Sequence, residues 1–280
     1  ILLGGDFTLV GGINYGHVSR LHPDGYVDSS FNIGTGLDDI VWALGVQEDR
    51  KSIPGGRYTV VDGNEVASAS RLNADGVFDY TFNIDVGVDG EVFAVAVQPD
   101  GGIVIGGDFK KVSGQVAKNI ARLNADGTFD TTFAVGTGAD KPIRDISIQP
   151  DGKLVIVGEF AILAGGSFGK IGRLNLDGTP DTEFVPGMGA NGIVHAASLQ
   201  QDGGIIIAGE FTTVNSKEFP YVARLQSNGI LDEKWGGIAI GINGAVFDVG
   251  TRSDGKVCLL YTSDAADEGL GVDLGGRRII

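Results

Sequence analysis

Short apolar runs, each closed by a cluster of turn residues, follow one another along the chain. No segment carries the i, i+3, i+4, i+7 spacing of an amphipathic helix. Between Glu91 and Phe133 the order is legible. EVFAVAVQ (Glu91–Gln98) is apolar and valine-rich, and Pro99-Asp100-Gly101 follows as a turn signal. GIVIGGDF (Gly102–Phe109) is a second β-branched run, followed by the polar stretch KKVSGQVAK (Lys110–Lys118). NIARLN (Asn119–Asn124) reads as a third strand. Asp126-Gly127 reads as a hairpin turn, because that pair tolerates positive φ. Thr128–Phe133 reads as a short fourth strand.

The same order returns at a constant interval. RLNADGTFDTTF (Arg122–Phe133) has counterparts beginning at Arg20, Arg71, Arg173 and Arg224, so the period is 51 residues. Four short antiparallel strands per unit of that size predict an all-β fold, a β-propeller of four-stranded blades, about five in number. A β-sandwich does not explain a strict module length, and a β-helix needs shorter coils. A closed ring and an open arc of a larger propeller both stay open. The units are 1–33, 34–84, 85–135, 136–186 and 187–237, with a further repeat starting at 238–258. Two departures stand in the second unit. Arg50 replaces the turn glycine, and Pro54 falls inside the second strand, which should then be short or bulged. After Cys258 the period is lost. LLYTSDAADEGLGVDLGGRRII resembles translated sequencing-adapter read-through, so 259–280 is expected to be a non-native tail on a fragment of a longer gene.

The pairing of QPDGK-(I/L)-x-(I/V)-x-G-x-F with RLNxDGxxDxxF resembles the bacterial delta-60 repeat, over residues 1 to about 258. The resemblance implies a β-propeller in large exported or surface-attached bacterial proteins, with no established catalytic residues. It therefore implies an extracellular or cell-surface location.

Composition narrows the partners. Hydrophobic residues are 42% of the 280, enough for a core, and the 47 glycines sit at turns and not at every third position. With 21 Lys and Arg against 36 Asp and Glu, the net charge is -15, which disfavours nucleic acid. No apolar run reaches the ~18 residues of a membrane span. The one cysteine, Cys258, excludes an internal disulfide. Asn124, Asp126 and Asp130 have oxygen spacing that invites calcium, but a full loop needs six or more ligands, so a hairpin with its own Asx bonds explains them better. Arg122 and Asp130 are the only charges present in every copy, and are expected to form an ion pair or backbone clamp within the blade. His17, His22 and His195 share no spacing, so no zinc site is expected, and no catalytic residue is singled out.

Both short turns of a unit fall on one face and the varied connections on the other, the layout of a binding surface. Tyr15, Phe168, Phe219 and Tyr221 are the expected exposed anchors there. Arg144, Asp145, His195 and Asp248 interrupt apolar first strands and are the candidates for lining a central channel. The expected function is a non-catalytic scaffold binding a protein or glycan. The alternative is a polysaccharide lyase or hydrolase, for which the adjacent Arg144 and Asp145 are the sequence support.

Overall fold

The computed structural model describes residues 1–235 and 242–261, and the backbone of 277–279. The described residues hold strands and turns and no helix. Repeat 3 shows the plan: Glu91–Val97, Ile103–Asp108 and Ile120–Leu123 pair antiparallel in that order. Repeats 4 (Ile143–Ile148, Leu154–Gly158, Ile171–Leu174) and 5 (Val194–Leu199, Ile205–Gly209, Val222–Leu225) repeat it. The second strand is buried on both faces, as its β-branched run requires; Ile103, Val104 and Ile105 are fully inaccessible.

The expected fourth strand shrinks to one bridge per repeat, such as Leu123↔Phe129. Asp130 ends it. Its Oδ1 accepts from the Thr132 amide (2.8 Å) and hydroxyl (2.6 Å), and the chain turns away. The polar connection between second and third strands is a small hairpin instead of a loop. Lys111–Val112 pairs with Gln115–Val116, and equivalents occur in the other four repeats.

The chain divides into two compact units, 1–138 and 139–280. Within each, the core lies between consecutive repeats. One cluster joins Tyr15, Val18 and Phe31 of repeat 1 to Val41, Tyr58 and Val61 of repeat 2. Another joins Val155 and Ile171 of repeat 4 to Val194, Ile207 and Phe211 of repeat 5. The repeated RLNxDGxxDxxF segment clasps the same junctions. Arg71 Nε donates to Asp79 of its own repeat (2.7 Å), while Nη1 donates to the Ala125 carbonyl in the turn of the next (2.6 Å). Its guanidinium lies 4.9 Å from the centre of the Phe82 ring. The Asn83 amide donates to the Asp126 carbonyl of that turn (2.7 Å). Arg173 repeats this with Asp181 (2.7 Å), the Ser227 carbonyl (2.6 Å) and Phe184. The intra-blade pair expected from sequence is present, and the same arginine also reaches across to the next blade.

Arg50 sits at φ 68, where Gly101, Gly152 and Gly203 sit between 83 and 85. Pro54 leaves Ser52–Gly56 paired in full with Val41–Val46 but reduces the third strand to bridges at Ser52↔Leu72 and Gly55↔Ala69. In the last repeat Val246–Thr251 pairs with Val257–Tyr261, whose Cys258–Leu260 faces the backbone of Arg277–Ile279. The tail from 259 therefore enters that strand; 262–276 and 280 lie outside the described residues.

Candidate functional site

The first strand of each of repeats 2 to 6 carries a bulge at one position. The ladder skips Trp42, Phe93, Arg144, His195 and Phe247 in turn. A bulge leaves one residue unpaired and re-aims its side chain. In repeats 2 to 5 a glycine on the second strand lies against it, and in the last repeat Tyr261 stands there. A Cβ on Gly107 would collide with the Glu91 carbonyl, and one on Gly158 or Gly209 would meet Pro142 or Ile193 in the same way. This is why glycine recurs there in repeats 2 to 5. Trp42 and Phe247 are 48% and 45% exposed.

In the first unit the Trp42 and Phe93 rings meet edge to face, 6.2 Å apart at 71°. Trp42 Nε1 donates to Glu91 Oε2 (3.2 Å), and Glu91 stands opposite Asp108 across the ladder. Nearby, Arg57 donates twice to Asp39 (2.8 and 3.1 Å), which holds the Asp39 carboxyl below its usual range.

In the second unit the four polar residues expected at a channel lie at or beside the bulges of the first strands of repeats 4, 5 and 6. Arg144 pairs with Glu159 (Nε to Oε1, 2.9 Å). The His195 ring contacts Glu210 (3.0 Å) and lies 5.2 Å from the Phe247 ring. Asp145 and Asp248 follow the bulge, where repeats 2, 3 and 5 have alanine. Asp145 Oδ1 accepts from the Ile146 amide (2.7 Å), and Oδ2 from the Ala197 amide of the next repeat (2.9 Å). The residue keeps partial surface exposure, yet its carboxylate is dehydrated between strands. That dehydration, with a smaller push from Asp248, raises its pKa to about 6.

The expected loop-face anchors require correction. Tyr15 and Phe168 are each only 8% exposed. With Phe219 they share one position, just after the small hairpin, where the amide bonds back to Thr8, Ala161 or Thr212 and the side chain folds under into the core. Tyr221, at φ 68, is half-buried and packs against the core of repeats 5 and 6. The hairpins themselves are held rigidly. Asp89 Oδ1 accepts from the Lys110 and Lys111 amides (2.7 and 2.8 Å), and Asp38, Asp140 and Asn191 do the same in their repeats. The Asp126 and Asp130 oxygens considered for calcium are committed to Thr128, Thr132 and Arg122. Among the described residues no group of three or more His, Cys, Asp or Glu is disposed to hold a metal.

A family described as a domain of unknown function, DUF5122 β-propeller, matches residues 1–31, 47–82, 98–133, 149–184 and 200–233. The chain belongs to the DUF5122 β-propeller family. No curated protein matches it by sequence. Among solved structures it is similar to the WD40 β-propeller domain of Doa1, at 15% identity over 92% of this chain and 70% of that one, with a TM-score of 0.60. The RRP9 WD40 repeats give 11% identity over 79% and 73%, with a TM-score of 0.47. Virginiamycin B lyase from Staphylococcus aureus gives 14% over 78% and 62%, with 0.43. The Doa1 likeness establishes the DUF5122 chain as a β-propeller in fold and nothing about its ligand. The bulge position was missed in sequence. Its signal was there: a Val or Ile, then a residue that changes from copy to copy, facing a glycine in repeats 2 to 5.

Proposed function

We propose that this propeller is a non-catalytic binding scaffold whose working residues are the bulge side chains and the small hairpins beside them. One observation carries the reading. The arginine, the acidic residue and the aromatic that clasp the repeats recur, while the bulge position changes among Trp42, Phe93, Arg144, His195 and Phe247. A position used only for packing would repeat as the packing does. The polysaccharide lyase or hydrolase alternative leaned on Arg144 and Asp145. Arg144 pairs with Glu159 and Asp145 holds a neighbouring amide, so both have structural occupations. The cell-exterior, bacterial setting of this reading rests on the delta-60 resemblance alone.

The test is a combined peptide and glycan array, with a reducing-sugar assay on every retained glycan. Retention by the wild-type chain and its loss in Trp42→Ala or Phe247→Ala, with unchanged circular dichroism, is the expected result. Sugar release would sink the non-catalytic reading. Undiminished retention by both variants would move the site elsewhere.

A further inference from the structure

Resting on that scaffold reading, we propose that the corner formed by Trp42, Phe93 and Glu91 takes the alkylammonium side chain of a basic peptide. The bulge turns Trp42 out of the ladder, and its indole is about half exposed. Phe93 meets it nearly at right angles (71°), so the two rings form a corner and not a flat patch. The hydrogen bond from Trp42 Nε1 to Glu91 fixes the indole's tilt and sets a carboxylate at its edge. A cation over the indole face gains from the ring quadrupole, and indole is the strongest of the aromatic partners. From that place it also reaches Glu91.

The surroundings select the occupant. Asp108 faces Glu91 across the ladder, and the cation of this rim, Arg57, spends Nε and Nη2 on Asp39. The rim therefore offers acceptors and few donors. An ammonium brings three donors and no acceptor, whereas a sugar hydroxyl needs both kinds of partner. A carboxylate or phosphate ligand would meet Glu91 and Asp108 at close range. The chain's charge of -15 steers the same class of partner toward the surface.

The chain has two tryptophans, so Trp235→Phe leaves Trp42 as the sole tryptophan, which red-edge excitation selects over the six tyrosines. A capped tetralysine peptide, titrated at constant ionic strength, is expected to change Trp42 fluorescence saturably. Glu91→Gln should weaken binding by about tenfold, and Nζ-acetylated tetralysine should give no saturable signal. By calorimetry, Trp42→Phe, which keeps a ring and its packing, should bind several-fold more weakly. Glu48→Gln, in the turn at the far end of the same strands, should leave affinity unchanged. The proposal is overturned by an absent signal, by equal affinity for the acetylated peptide, or by Glu48→Gln weakening binding as much as Glu91→Gln. Saturation by a neutral hexasaccharide, with none by tetralysine, would overturn it too, while leaving the scaffold reading intact.

Discussion

Two residues of repeat 2 show how a regular module absorbs irregular chemistry. Pro54 brings no amide hydrogen to the second strand, and here the usual phenylalanine at the strand's end becomes Tyr58. Its phenol is completely buried, donating to the Pro54 carbonyl (2.8 Å) and accepting from the Ser70 hydroxyl (2.9 Å), where repeats 3 to 5 have Ala or Gly. Burial pushes the Tyr58 hydroxyl far above its ordinary pKa, so it stays a donor. Three changes thus form one local repair. Arg50 has no such repair. It holds φ 68 in a turn where the other repeats use glycine, and a side chain there costs ~1–2 kcal/mol. Part of that is offset by the extra freedom glycine has when unfolded. Arg50→Gly should therefore stabilise the chain by about 0.5–1 kcal/mol. The urea midpoint is the measurement; an unchanged or lowered midpoint would contradict the strain argument.

At the level of the element, the repeated arginine adopts two arrangements, chosen by the residue that opens the second strand. Where that residue is lysine, Lys51 or Lys153 joins the arginine on Asp79 or Asp181, each at 2.8 Å, and the arginine reaches the next repeat. Where it is glycine, the arginine lies over it, in space a Cβ would fill. Arg122 and Arg224 then turn to Asp100 and Asp202 of the preceding turn. Arg173→Ala strips Asp181 of a buried partner and breaks the bridge to Ser227, so a loss of about 3 kcal/mol is expected. Arg122→Ala also takes a cation from the buried Asp130, but its second partner, Asp100, is half exposed and costs little to release, so the loss should be smaller. Equal losses in thermal denaturation would count against the two arrangements. The arginine–aspartate pair was legible because both charges recur at fixed spacing. The choice of arrangement was not, since it depends on a glycine's missing volume. The small hairpins were missed for a related reason. Ser113-Gly114 and Asn215-Ser216 turn with positive φ at both residues, yet polar flanks such as Lys110 and Lys111 gave no apolar alternation. The anchors failed because Tyr15, Phe168 and Phe219 were read as separate loop aromatics. Their shared position in the repeat marked them as core.

Among the described residues, the carboxylates whose pKa is displaced divide into two classes with opposite pH behaviour. Asp79, Asp130 and Asp181 are dehydrated, which alone would raise them. Hydrogen bonds from Lys51, Lys153, Thr81 and Thr132, together with the repeated arginines, outweigh that and hold their carboxyls below the usual range. Asp28 is held at about 2, chiefly by Ser30. A depressed carboxyl lends stability that is present above its unfolded pKa and is lost as pH falls through the folded one. These clasps therefore weaken below about pH 4, at repeat after repeat. Asp145 runs the other way. Raised to about 6, it contributes stability below the unfolded value of about 4, and that contribution fades as pH rises through 6. Stability should then rise from pH 2 to about 4 and decline between about 4 and 7. Asp145→Asn cannot ionise and keeps one carbonyl to accept an amide, so its stability should lack the decline while keeping the acid limb. Denaturation midpoints for both proteins from pH 3 to 8 decide the matter. A decline of the same size in Asp145→Asn would assign it to another group, and a wild-type chain most stable at pH 7 would show that the two amides outweigh dehydration at this carboxylate.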